Sequence, residues 1–222
     1  YIFTHVLIKD TAYNRMLNDK LKKLHFLAAE ALVKIDVNNE GANAESIAYH
    51  FDKAASLDSA ALYYSRAGEY YIDSFAFARA QNCLARLFAL MTEKNGESSE
   101  QAGDVIMSLG KLSIEMSDFV LAKDWYGKAE LIYAKTLGTD NEKYINALTR
   151  LAFTMEELAE FDQTQERLEK ALAVSYDTYG DLHEITVKVL YNLSNHYIRK
   201  GDYNKALELM LKVVETDNVL GV

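Results

Sequence analysis

The sequence predicts an all-α protein, on the evidence of its composition and of an internal repeat. The 222 residues include no proline and only ten glycines, and these two residue types mark the turns and strand edges of β proteins. Half of the residues are apolar and 26% are charged, as expected of a folded chain. The apolar pattern recurs every 42 residues, and a period of that length predicts stacked helix pairs.

The repeat is visible in three columns of residues that align at a shift of 42. They are aromatic (Phe77, Phe119, Phe161, Tyr203), small (Gly68, Gly110, Ala152, Ser194) and large (Leu84, Tyr126, Leu168, Met210). Spacings of three and four within each copy place these residues on one face of two helices. The small column is expected to let two helices approach closely. Four helix pairs are predicted at about 60–100, 102–143, 144–185 and 186–222, after a helical connector at 1–59.

The turns carry a second signal. Ser117-Asp118 and Gly201-Asp202 suit a helix stop followed by an N-cap. Gly138 and Gly180 mark the turns between copies. The helices are therefore expected to end at polar turns that recur with the repeat.

The unit at 179–209 carries Gly-Asp-x-His, then Leu-x-Asn-Leu, then Gly-x-Tyr-x-x-Ala. It resembles the tetratricopeptide repeat, and its length of 42 resembles the kinesin-light-chain variety of that repeat. The resemblance implies a right-handed α-solenoid in which the first helix of each pair lines a concave groove. Ser113 and Thr164 depart from the pattern, where the family prefers an aromatic residue and alanine.

Residues 11–35 predict an amphipathic helix with Asp10 or Thr11 as N-cap, and 45–57 predict a second helix. The connector resembles one found in STAND-type signalling ATPases and in bacterial adenylate cyclases that carry such an ATPase. The matching residues are Phe3, His5, Ile8, Asp10, Tyr13, Leu24, His25, His50, Phe51, Ala67 and Gly68. The resemblance implies a sensor region of a larger protein whose nucleotide site lies upstream. The sequence has no phosphate-binding glycine loop of its own.

Charge and cysteine content limit the function classes. A net charge of −9 argues against nucleic acid as a partner, and no apolar run is long enough to cross a membrane. The start of the chain has neither a signal peptide nor an initiator Met, so we expect a piece of a longer protein. The single cysteine, Cys83, fits a reducing compartment and predicts a cytoplasmic protein.

No catalytic, metal or cofactor site is predicted. The five histidines lack the i, i+4 spacing of a helical zinc site, and His25 and His50 are expected to be core residues satisfied by backbone carbonyls. Cys83 is expected to be a small buried hydrophobe. Carboxylate pairs such as Glu156-Glu157 are expected on a solvated helix face. The chain is therefore not expected to be an enzyme.

The predicted binding surface is the groove formed by the first helices. Its candidate residues are Lys111, Glu115, Thr149, Phe153, Glu156, Glu157, Lys188, Tyr191, Asn195 and Arg199. The Asn195 amide could pair with a peptide backbone, and Lys188 or Arg199 could hold a carboxylate. The alternative for these positions is an ordinary solvated surface. The expected partner is a protein or peptide, within a signalling or sensing protein.

A structural scaffold is the alternative function. Leu209, Val213, Val214, Val219 and Leu220 give the last helix an apolar side with no visible capping helix. We expect that either a continuation of the natural chain or a second copy covers it. Self-association through this helix is the resulting expectation.

Overall fold

The computed structural model describes the backbone of residues 18–35 and 41–220, with side chains as far as residue 216. Within these ranges the chain forms ten α-helices and no strand, which confirms the all-α prediction. They are α1 (Asn18–Ile35), α2 (Ala44–Lys53), α3 (Leu57–Asp73), α4 (Phe77–Asn95), α5 (Glu100–Glu115), α6 (Phe119–Thr136), α7 (Glu142–Glu157), α8 (Phe161–Tyr179), α9 (Glu184–Lys200) and α10 (Tyr203–Leu220). None of the described helices is both long enough and apolar enough to cross a membrane.

The chain divides into two compact units, Tyr1–Met91 and Thr92–Val222. The first holds α1 to α3 and most of α4, and the second holds the three pairs from α5 to α10. The domain division predicted at residue 59 stays a prediction. The predicted N-caps at Asp10 and Thr11 lie outside the described residues, as do the connector residues Phe3, His5, Ile8 and Tyr13.

In the first unit, α1 and α2 are joined through two histidines of the connector motif. Nδ1 of His25 lies 2.8 Å from Nδ1 of His50. Burial, together with the nearby His50 and Lys53, lowers the pKa of His25, so a neutral ring is favoured in this hydrogen bond. The sequence indicated backbone carbonyls as partners and did not indicate this pairing, because the rings are 25 residues apart.

Two carboxylates of α2 bind side chains of α3 and α4. The Glu45 carboxylate accepts a hydrogen bond from the Tyr71 hydroxyl at 2.8 Å and forms an ion pair with Arg79. One heptad further along α2, the Asp52 carboxylate pairs with Arg86 at 2.7 Å. The connector helix therefore packs on the first repeat pair through paired charges as well as through apolar side chains.

The small column lies where the two helices of a pair touch. A Cβ atom built on Gly110 of α5 would stand 2.5 Å from the ring of Tyr126 on α6. One repeat later, Ala152 and Leu168 belong to the same buried cluster. Close approach between helices therefore explains this column, as the sequence predicted.

The turn inside each pair has one residue in the left-handed region of φ. These residues are Phe75 (58°), Ser117 (59°), Ala159 (61°) and Gly201 (82°), each 42 after the last. Asp118 follows as N-cap and accepts a hydrogen bond from the Leu121 N–H at 3.0 Å. The stop-and-cap prediction is confirmed, although only the fourth copy uses the glycine that this conformation favours.

The apolar side of α10 differs from the prediction. Leu209 packs against the core and Val213 is only 7% exposed, because these positions face the preceding helices. The side chains of Val219 and Leu220 lie outside the described residues. Val214 is 50% exposed, as predicted, and it forms a stripe with exposed apolar residues that the sequence did not indicate. We call Tyr203, Leu207, Leu211 and Val214 the α10 stripe.

Candidate functional site

A cavity of about 570 Å³ lies along α7 and α9 in the second unit. These are the first helices of consecutive pairs, and they contact each other directly. Equivalent positions of the two helices, 42 residues apart, line it. They are Asn146 and Lys188, Thr149 and Tyr191, Arg150 and Asn192, Phe153 and Asn195, and Glu156 and Ile198. The same helix face of two successive repeats thus lines one cavity.

Seven of the ten groove residues predicted from the sequence line this cavity. They are Thr149, Phe153, Glu156, Lys188, Tyr191, Asn195 and Arg199. Glu157 is the ion-pair partner of Arg199. Lys111 and Glu115 lie on α5, are exposed, and are not among the lining residues. The role of all ten in binding stays a prediction.

Sequence reasoning missed seven lining residues: Asn146, Arg150, Leu168, Ile185, Val189, Asn192 and Ile198. The signal that could have found two of them was the repeat itself. Asn146 is the equivalent of Lys188, and Ile198 is the equivalent of Glu156. Applying the shift of 42 to every groove position would have added both.

The polar groups of the cavity include three side-chain amides. Asn192 donates a hydrogen bond to the carbonyl of Lys188 at 2.8 Å. The amides of Asn146 and Asn195 have no hydrogen-bond partner among the described residues. An amide has both a donor and an acceptor, so these two can pair with the backbone of a bound chain.

The basic side chains of the cavity differ in whether they form an ion pair with an acidic residue. Lys188 pairs with Glu184 at 2.6 Å, and Arg199 pairs with Glu157. Arg150 is exposed and forms no ion pair with any described residue. Since paired charges contribute little net field, Arg150 provides the main positive charge at this surface.

Glu156 lies deeper than the sequence indicated. The residue is 7% exposed, and its Oε1 lies 3.0 Å from Nδ1 of His196, which is fully buried. The expectation of a solvated face was therefore wrong for Glu156. The equivalent residue one repeat later, Ile198, is 44% exposed.

The described residues hold no cluster of three or more His, Cys, Asp or Glu side chains that could bind a metal. Cys83 is 1% exposed, which confirms its interpretation as a buried hydrophobe, and burial raises the pKa of its thiol to about 12. His183 caps α9, accepting a hydrogen bond from the Ile185 N–H.

The fold resembles that of tetratricopeptide-repeat solenoids, a fold typical of protein-interaction modules. Residues 144–218 match the family model of the tetratricopeptide repeat. This segment contains α9 and all of α7 except its first two residues. No curated protein matches the sequence at a significant level.

Solved structures show the same fold. A kinesin light chain protein of Podospora anserina with nearly identical TPR-like repeats is 17% identical, at a TM-score of 0.72 over 93% of this chain and 99% of its own. BtubC of P. vanneervenii is 15% identical, at 0.66 over 93% of each chain. YrrB, described as a TPR protein with an unusual peptide-binding site, is 18% identical, at 0.56 over 96% and 93%. The described part of the chain is thus all-helical and resembles tetratricopeptide-repeat solenoids.

Proposed function

We propose that this chain binds an extended peptide or a partner segment in the cavity between α7 and α9, and that it has no catalytic role of its own. The observation that carries the proposal is the cavity itself, in which amides, apolar side chains and charges from two repeats converge. The peptide-binding site named for YrrB supports a role of this kind for the fold.

The lining residues suit a peptide in two ways. Phe153, Tyr191 and Ile198 are 37%, 50% and 44% exposed, so they offer apolar area that a ligand would remove from water. Asn146 and Asn195 lie on opposite helices of the cavity. An extended backbone presents N–H and C=O groups at regular intervals, and both amides can pair with them.

Replacing Tyr191 or Asn195 by alanine is expected to weaken peptide binding about 10-fold, because aromatic anchors and paired polar groups carry most interface energy. Peptides selected by display on the wild-type chain would be titrated by fluorescence anisotropy. Tyr203→Ala and Asn82→Ala change exposed residues of the same types outside the cavity and serve as controls. Unchanged affinity in Tyr191→Ala, Asn195→Ala and Arg199→Ala would show that the cavity is not the binding surface.

We further propose that the segment is the sensor of a larger cytoplasmic signalling ATPase, in some cases linked to a cyclase. The resemblance of the connector supports this, and its two motif histidines bond to each other. A ligand in the cavity would then bias an upstream nucleotide switch. A phosphate-binding loop in the flanking sequence would support the proposal, and a flanking sequence without any ATPase domain would contradict it.

Self-association is a second candidate, favoured by the α10 stripe. Its positions 207 and 211 are equivalent to Gln165 and Glu169 on α8, which both hydrogen-bond to Tyr197 of the next helix. These are therefore positions where a following helix packs. On α10 they are Leu207 and Leu211, 61% and 54% exposed. We propose that a second copy of the chain binds this stripe through a helix-to-helix contact.

Sedimentation analysis at several concentrations is expected to show a monomer–dimer equilibrium that Leu207→Glu/Leu211→Glu abolishes, because burying two carboxylates is unfavourable. Leu131→Glu, which changes another exposed leucine on α6, is the matched control. A monomer at every concentration would contradict self-association and leave the cavity proposal untouched.

A further inference from the structure

Glu156 is the only Asp, Glu, Lys or Arg residue that is buried in the described part of the chain. The other three copies of the repeat have isoleucine at this position, namely Ile72, Ile114 and Ile198. A carboxylate has therefore replaced an apolar side chain in the third copy alone. Burying a carboxylate is unfavourable without a partner, so this position is costly for the fold unless something compensates it.

His196 compensates Glu156 only in part. Nδ1 of the fully buried ring lies 3.0 Å from Oε1, one of the two carboxylate oxygens. Nε2 of His196 is buried and has no hydrogen-bond partner in the described part of the molecule. The contact at Nδ1 involves only Oε1, so the other oxygen of the Glu156 carboxyl group has no hydrogen-bond partner among the described residues.

The rest of the Glu156 carboxylate opens onto the cavity, which it lines. No lysine or arginine of the described chain forms an ion pair with it. The nearby cations Lys188 and Arg199 are paired with Glu184 and Glu157. The cavity therefore has a buried anion in its wall whose remaining acceptor sites are left to a ligand.

We infer that Glu156 is a specificity-determining residue of the cavity and receives the guanidinium or ammonium group of a basic side chain in the bound peptide. His196 is its positioning residue, which orients the carboxylate through Nδ1. The inference rests on the proposed peptide-binding function and adds the charge of the ligand. Because Arg150 lines the same cavity with a positive charge of its own, the residue beside the basic side chain is neutral or acidic.

The test compares peptides selected on the wild-type chain with analogues in which arginine is replaced by citrulline and lysine by norleucine. The wild type is expected to bind the charged peptide about 10- to 100-fold more tightly, the range of a charged hydrogen-bonded pair. Glu156→Gln is expected to remove this preference while still binding the uncharged analogue. N-acetylarginine amide, the cation without a peptide, is expected to bind far more weakly than either.

Two further variants separate recognition from folding. Glu156→Ile restores the residue of the other copies and is expected to lose the charge preference, with a lower melting temperature than the wild type because Nδ1 of the buried His196 loses its only partner. His196→Gln is expected to reduce the charge preference, because the carboxylate loses its fixed orientation, while binding of the citrulline peptide stays unchanged. Thermal melts of each variant establish that it is folded.

The outcomes distinguish the two proposals. If Tyr191→Ala weakens binding but Glu156→Gln and Glu156→Ile keep the full charge preference, the inference about Glu156 is wrong and the proposed function stands. If no peptide binds the wild type, both are wrong. If N-acetylarginine amide binds as tightly as the peptides, Glu156 holds a small cation and the peptide proposal is overturned.

Discussion

Gly110→Ala is expected to destabilise the second unit by about 2–3 kcal/mol, despite the better helix propensity of alanine. The added Cβ would stand 2.5, 2.7 and 2.8 Å from three ring atoms of Tyr126. Tyr126 is only 2% exposed, so its ring cannot move aside without disturbing the packing around it. Chemical denaturation followed by circular dichroism measures the change in unfolding free energy.

Gly127→Ala is the matched control. Gly127 lies in α6 like Tyr126, but no atom lies within 4 Å of a Cβ built there. The same substitution is therefore expected to stabilise the protein by about 0.5–1 kcal/mol, through propensity alone. If alanine lowers the unfolding free energy at position 110 and raises it at position 127, close helix contact explains the small column. A Gly110→Ala protein as stable as the wild type would contradict it.

Cys83 is expected to react with thiol reagents about 10³-fold more slowly in the folded protein than an ordinary cysteine. Burial is the main cause of the raised thiol pKa of about 12. The thiolate is the reactive form, and at pH 8 its population falls by about that factor. The 1% exposure of Cys83 also limits access of the reagent.

The reaction with a disulfide reagent at pH 8 would be followed by absorbance, with and without denaturant. Cys83→Ala/Gln81→Cys places a thiol two residues away on the exposed face of α4 and is expected to react at the rate of a free thiol. If native Cys83 reacted as fast as this control, the packing of α4 against its neighbours would be looser than the structure shows.

The repeat allowed most of the fold to be predicted, because helix faces and turns follow local rules. Spacings of three and four place apolar residues on one side of a helix. Asp118 caps its helix with a hydrogen bond to a residue three positions away. Such interactions lie within one turn, so the order of residues along the chain determines them.

The repeat indicated which helix face lines the cavity, but it did not indicate how deeply each side chain is buried. Tyr191 and Asn195 were found because the first helices were expected to share a face. Arg150 and Asn192 were missed, since nothing in the linear pattern says how wide that face is. Glu156 was named for the groove, but its burial depends on α9, which is 40 residues away at His196.

The sequence alone thus determined an all-α chain without proline, its 42-residue period, its turns and the face that each first helix presents. Only the tertiary structure decided which groups meet: His25 with His50, Glu156 with His196, and α7 with α9 around a cavity. The reason is physical. Helix formation and capping depend on residues within four positions of each other, whereas burial and charge pairing depend on distances that only packing sets.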